Sequence, residues 1–180
     1  MQYVAFLGGL NVGGHRVKMD ALRVRFETLG FASVHTFLAS GNVVFVADGD
    51  DAGAIEQHIE NDLAEALGYQ VPTFVRSAEE VRAIAAYAPF ASDVIAASAG
   101  KLQVSFLRAT PDAEVHEQVL GLATDADRLN IAQRELFWLP SGRMSDSVLD
   151  LVAIFKLLGP TTMRTMNTVA RIAAKYLPAG

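Results

Sequence analysis

The 180-residue chain contains no cysteine. That absence excludes disulfides, thiolate nucleophiles, iron–sulfur ligation and every cysteine-based zinc site, and it fits a reducing compartment. Charged residues are sparse at 19% and the formal net charge is −5, so the broad basic surface that nucleic-acid backbones require is missing. Long apolar runs are missing too. The opening "MQYVAFLGGL" carries no basic leader and soon reaches glycine, too short for a signal-peptide core or a membrane span. These absences predict a cytoplasmic protein with no membrane segment. Neither a Gly-x-Ser-x-Gly elbow nor a calcium-loop spacing occurs. His15, His35, His58 and His116 are too scattered for a local metal motif. No motif names a cofactor, and no nucleophile–base pair marks an enzyme.

What is present is 51% apolar, a globular composition for one domain or two small ones. Charge is unevenly spread. Up to Arg76 there are 5 basic and 9 acidic residues, whereas from Arg143 onward there are 5 basic and 2 acidic. The basic tail is weak support for an anionic partner.

Periodicity organises the first part. "YVAFLGGL" is a strand ending in glycine; Met19, Leu22, Phe26 and Leu29 recur at helical spacing before Gly30. "SVHTFLAS" and "NVVFVA" are β-prone runs joined at Ser40, Gly41 and Asn42. Asp51 then caps a helix stepping through Ile55, Ile59, Leu63 and Leu67 to Gly68, and "QVPTFVR" is an edge strand because Pro72 donates no backbone hydrogen bond. The order is βαββαβ, the ferredoxin-like unit, over residues 1–76. Residues 77–180 resemble it in element order: a helix to Pro89, a strand at "KLQVSFL", a helix after Pro111, β-runs "RLNIA" and "ELFWL", and a helix over 147–158 with Ser147 and Asp150 at capping-box spacing. No fourth strand stands out, so a final helix after Gly159 and Pro160 is expected in its place. The fold class is α+β, with two ferredoxin-like subdomains and an extra C-terminal helix on the second.

The chemistry-bearing candidate is "GGLNVGGHRVKM", residues 8–19. It fits no dinucleotide fingerprint, and it misses the triphosphate loop because His15 and Arg16 stand where Lys and a hydroxyl are needed. A looser mechanism remains: glycine amides converging on an anion near a helix N-terminus, with His15, Arg16 and Lys18 as donors. The rival reading is plain turn geometry. In a βαββαβ sheet the first two strands run the same way, so the loop holding Asn11, Gly13, Gly14, His15 and Lys18 is expected beside Ser40, Gly41 and Asn42.

"GLNVGGHRVKMDAL", "LGFASVHTFLASGNVVF" and the closing "TTMRTMNTVARI" together resemble the bacterial family known as domain of unknown function 1697, over essentially the whole chain. The resemblance implies a compact cytoplasmic protein with a ferredoxin-like N-terminal part and no assigned activity or cofactor. Departures occur where the family's Arg before the Asn-Val-Gly-Gly motif falls on Gly8 or Gly9, and where Thr165 and Met166 replace an Asn and a Trp. The matching tail adds Arg164, Asn167 and Thr168 as candidate ligand-binding residues.

The function expected from these features is binding of a small anionic ligand, phosphorylated or nucleotide-like. The alternatives are a non-catalytic interaction module or homodimer built on an open sheet edge, and, less favoured, DNA binding through the helices flanking Gly159 and Pro160.

Overall fold

The computed structural model describes residues 1–49 and 51–178. Asp50, part of the acidic stretch before the second helix, lies outside the described residues. The chain divides into two compact units, one of Met1–Ile84 plus the chain from Arg171 on, the other Ala85–Ala170.

The first unit contains β1 (Gln2–Leu7), α1 (Met19–Thr28), β2 (Ala32–Phe37), β3 (Asn42–Val46), α2 (Ala52–Leu67) and β4 (Thr73–Ser77), followed by α3 (Ala78–Ala86). Its sheet has the order β2-β3-β1-β4 with every pair antiparallel, the ferredoxin-like arrangement. Asp51 caps α2 by accepting from the Ala54 amide at 3.1 Å, and Gly68 ends it in the left-handed conformation at φ 78°. One face of the sheet, with Tyr3, Ala5, Leu7, Val43, Phe45 and Val75, packs on Leu22 and Phe26 of α1 and Ile55, Ile59 and Leu63 of α2. Val4, Phe6, Val44, Phe74 and Arg76 alternate onto the other face and are buried as well.

β4 is an edge strand, and its outward amides are closed off by carboxylates. Thr73 donates to Glu60, Val75 to Glu56 and Ser77 to Glu80, each at 2.7 Å. Three alternate amides that would otherwise template another strand are thus satisfied within the chain. Ser77 Oγ in return accepts from the Glu80 amide at 3.1 Å, a reciprocal capping box that starts α3. Ser77→Ala should therefore cost about 1 kcal/mol, or about 2–4 °C in Tm by calorimetry; an unchanged Tm would mean the box adds nothing to α3.

The second unit contains a short α4 (Ser92–Ala97), β5 (Gln103–Phe106), α5 (Ala113–Leu120), β6 (Asp127–Ala132), β7 (Glu135–Pro140), α6 (Leu151–Leu158) and β8 (Thr162–Thr165), and α7 (Met166–Tyr176) begins in it. Its order, β6-β7-β5-β8, repeats that of the first sheet. Val119, Ile131, Leu136, Trp138, Leu149 and Ile154 form its core.

Three expectations are corrected here. A fourth strand exists: β8 pairs with β5, hidden in sequence because Arg164 interrupts any apolar alternation. The presence of β8 between α6 and α7 removes the helix-turn-helix. And Ser147 does not begin α6; Asp150 does, accepting from the Ala153 amide at 2.9 Å, while Ser147 donates to Asp127.

Candidate functional site

The loop after β1 and the turn between β2 and β3 are adjacent, as the parallel course of β1 and β2 requires. The Leu7 amide donates to the Gly41 carbonyl at 2.8 Å, and Asn11 Nδ2 donates to the Ala39 carbonyl at 3.0 Å. Asn11 is a strut between segments, because its Oδ1 also accepts from the Val17 amide at 2.6 Å at the entrance to α1. Asn42 is buried and donates to the Phe37 carbonyl and to Ser40 Oγ, fixing the turn from within. Gly41 has φ 75°, and a Cβ there would lie 3.0 Å from Leu7 Cβ, so close packing as well as conformation demands glycine.

Gly13 and Gly14 occupy the centre of a turn closed by the His15 amide donating to the Val12 carbonyl at 3.1 Å. Their φ values of 62° and 90° suit a type I′ turn, which needs positive φ at both central positions. The pair is therefore turn chemistry, yet the turn is also open: a Cβ on either would meet nothing within 4 Å, and among the described residues neither amide has a hydrogen-bond partner. His15, Arg16 and Lys18 are exposed and form no ion pair among the described residues. Lys18 is the N-cap of α1 and supplies no side-chain cap, so first-turn amides of a 10-residue helix face the same loop.

Tyr69, immediately after Gly68, stiffens the loop from a distant part of the sequence. Its hydroxyl donates to the Leu10 carbonyl at 2.8 Å, and the His15 ring stacks on it at 3.9 Å between centroids and 25° between planes. Nothing in the local pattern marks Tyr69. Its role depends on where α2 ends.

The tail candidates lie in the second unit and have structural partners. Arg164 is buried on β8 and donates to Thr162 Oγ1 and the Met163 carbonyl, each at 2.8 Å. Burial pushes its guanidinium down to about 10, still cationic at neutral pH. Thr165 caps α7 by accepting from the Thr168 amide, and the two hydroxyls lie 3.0 Å apart; Asn167 is exposed. This unit also holds features that sequence reading missed. A groove of about 330 Å³ is lined by Asp93, Ser98, Asp125, Arg128 and Ser141, and a smaller one of about 150 Å³ by Asp127, Asp146 and Ser147. Among the described residues no group of three or more His, Asp or Glu is placed to hold a metal, and no helix is long and apolar enough to cross a membrane.

Two four-stranded antiparallel sheets of one strand order, each flanked by helices, define a duplicated α+β protein. A structure described as that of a conserved bacterial protein from Streptococcus pneumoniae shares this fold: TM-score 0.73, 21% identity, covering 96% of this chain and 97% of that one. The family model described as protein of unknown function DUF1697 matches residues 1–137, and the chain belongs to that family. None of the curated proteins matches it.

Proposed function

We propose that the protein is a cytoplasmic binder of a small phosphate-bearing anion, held at the loop after β1. One observation carries the reading: a rigidly braced turn presents two unused glycine amides beside three exposed cationic or protonatable side chains that have no acidic partner among the described residues. Arg16 and Lys18 supply charge-assisted hydrogen bonds, the Gly13 and Gly14 amides supply directed donors, and the uncapped start of α1 favours negative charge. Asn11, Gly41 and Asn42 hold this arrangement in place rather than touching the ligand. A homodimer built on the β4 edge has less support, since the outward amides of that strand are already taken by Glu60, Glu56 and Glu80.

The test is thermal shift with inorganic phosphate and ribose 5-phosphate. At a hundredfold excess over Kd a one-site ligand stabilises by about 2.7 kcal/mol, or roughly 5–10 °C for a chain of this size. The shift should vanish in Arg16→Gln/Lys18→Gln, which leaves the turn intact, and in Gly13→Val/Gly14→Val. No shift with either probe, or a shift indifferent to these variants, overturns the reading.

A further inference from the structure

We propose that the ligand of this loop joins its phosphate to a flat heteroaromatic ring, and that His15 stacks that ring, so that the ligand class is a nucleoside monophosphate. This rests on the anion-binding reading above and adds the second half of the ligand to it.

The His15 imidazole lies stacked on another ring. Its amide is fixed to the Val12 carbonyl, and one ring face lies on Tyr69, itself anchored through its hydroxyl to Leu10. The residue is nevertheless exposed, and Tyr69 is its one ring contact among the described residues. A ring with one face covered and the other in water is a prepared stacking surface: its conformational freedom is already lost before a ligand arrives. It directly follows the glycine pair whose amides are unused, and it precedes Arg16 and Lys18. Phosphate donors and a flat ring thus share four consecutive positions and Lys18.

The second observation is apolar surface at the same tip. Val12 is 61% exposed and Leu38 45% exposed. Leu38 is at φ 59°, a left-handed conformation that leucine disfavours and that glycine or asparagine would adopt at lower cost. The Asn11–Ala39 hydrogen bond joins the residue before Val12 to the residue after Leu38, so the two aliphatic side chains stand on adjoining segments. Inorganic phosphate has no use for them. A nucleobase, with an apolar face and edge, does.

The experiment is calorimetric titration of the purified protein with adenosine 5′-monophosphate, ribose 5-phosphate and adenosine, repeated on His15→Ala and His15→Phe. The monophosphate should bind about tenfold more tightly than ribose 5-phosphate, the scale of one base stacked on one ring. His15→Ala should erase that preference while ribose 5-phosphate still binds, and His15→Phe should restore it, which a merely structural histidine would not do. Equal affinity for the monophosphate and ribose 5-phosphate, or a preference that survives His15→Ala, overturns the ring assignment and leaves the anion reading standing. Silence from both phosphates removes the anion reading and this inference with it. Adenosine binding as tightly as the monophosphate also overturns the combined assignment, because the phosphate then contributes nothing.

Discussion

Alanine in place of Gly100 is expected to lower the melting temperature by roughly 6–12 °C, far beyond what one methyl group on a surface loop does. A Cβ built on Gly100 would lie 2.1 Å from the Pro140 carbonyl oxygen and 2.7 Å from that of Gly142, both backbone atoms. No side-chain rotation relieves such a contact, so one of the two strands of chain must move. Neither is free to do so. Ser98 Oγ donates to the same Pro140 carbonyl at 2.5 Å and accepts from the Gly100 amide at 3.0 Å, which pins the segment after α4 against the end of β7. Retreat would break the bond to Pro140, at roughly 0.5–1.5 kcal/mol, on top of about 1–3 kcal/mol for overpacking. A total near 3 kcal/mol corresponds to roughly 6–12 °C at this chain length. Ser98→Ala, which removes both Ser98 bonds without adding bulk, should cost less than this. Calorimetry on the two variants checks the order; equal melting temperatures for Gly100→Ala and the parent would mean that the segment does not rest on β7 at all.

α2 was legible because Ile55, Ile59 and Leu63 repeat on one face between an Asp cap and a terminal Gly, and all three are buried in the core they predict. β8 was not legible. Its four residues contain Arg164, and a charged residue in a short run argues against a strand until its partner is known. Pairing supplies the missing logic. Val4 lies opposite Arg76 and Val104 opposite Arg164, both arginines are buried, and the next residues, Ser77 and Thr165, each cap the helix that follows. The two units thus repeat at particular positions, V-x-F-L on the first strand and a buried Arg on the fourth, although no repeat is visible along the chain. At the candidate site, chain direction alone placed the two glycine-bearing segments together. It could not divide their residues by task. Asn11, Gly41 and Asn42 look as functional in sequence as Gly13 and Lys18 do, and the hydrogen bonds of Asn11 and Asn42 and the close packing at Gly41 emerge only from the fold. Tyr69 carried no local signal, since its partner His15 lies far from it along the chain, before α1.

Asp127→Ala is expected to destabilise the second unit by about 3–5 kcal/mol, the scale of losing several hydrogen bonds to one buried carboxylate and stranding their donors. Asp127 is 1% exposed at the start of β6. One carboxylate oxygen accepts from Trp138 Nε1 at 2.8 Å and from Ser147 Oγ at 2.7 Å, and the other from Thr124 Oγ1 at 3.1 Å. Through these bonds one side chain joins the core of β7, the loop before β6 and the segment leading to α6, where Ser147 Oγ goes on to accept from the Leu149 amide. Alanine would leave the indole N–H buried without an acceptor and release the Ser147 segment. Asparagine separates the parts of this effect. Its carbonyl oxygen can keep Trp138 and Ser147, whereas its amide cannot accept from Thr124, so Asp127→Asn should lose only about 1 kcal/mol. Trp138 is the single tryptophan of the chain and sits in the core of this unit, so its fluorescence reads the unit directly. Urea unfolding followed by that emission should rank parent, asparagine and alanine in decreasing midpoint, with a red-shifted native signal for alanine as water reaches the indole. If alanine and asparagine unfold at the same midpoint, the Trp138 and Ser147 bonds do not hold the unit together and Thr124 alone accounts for the role of Asp127.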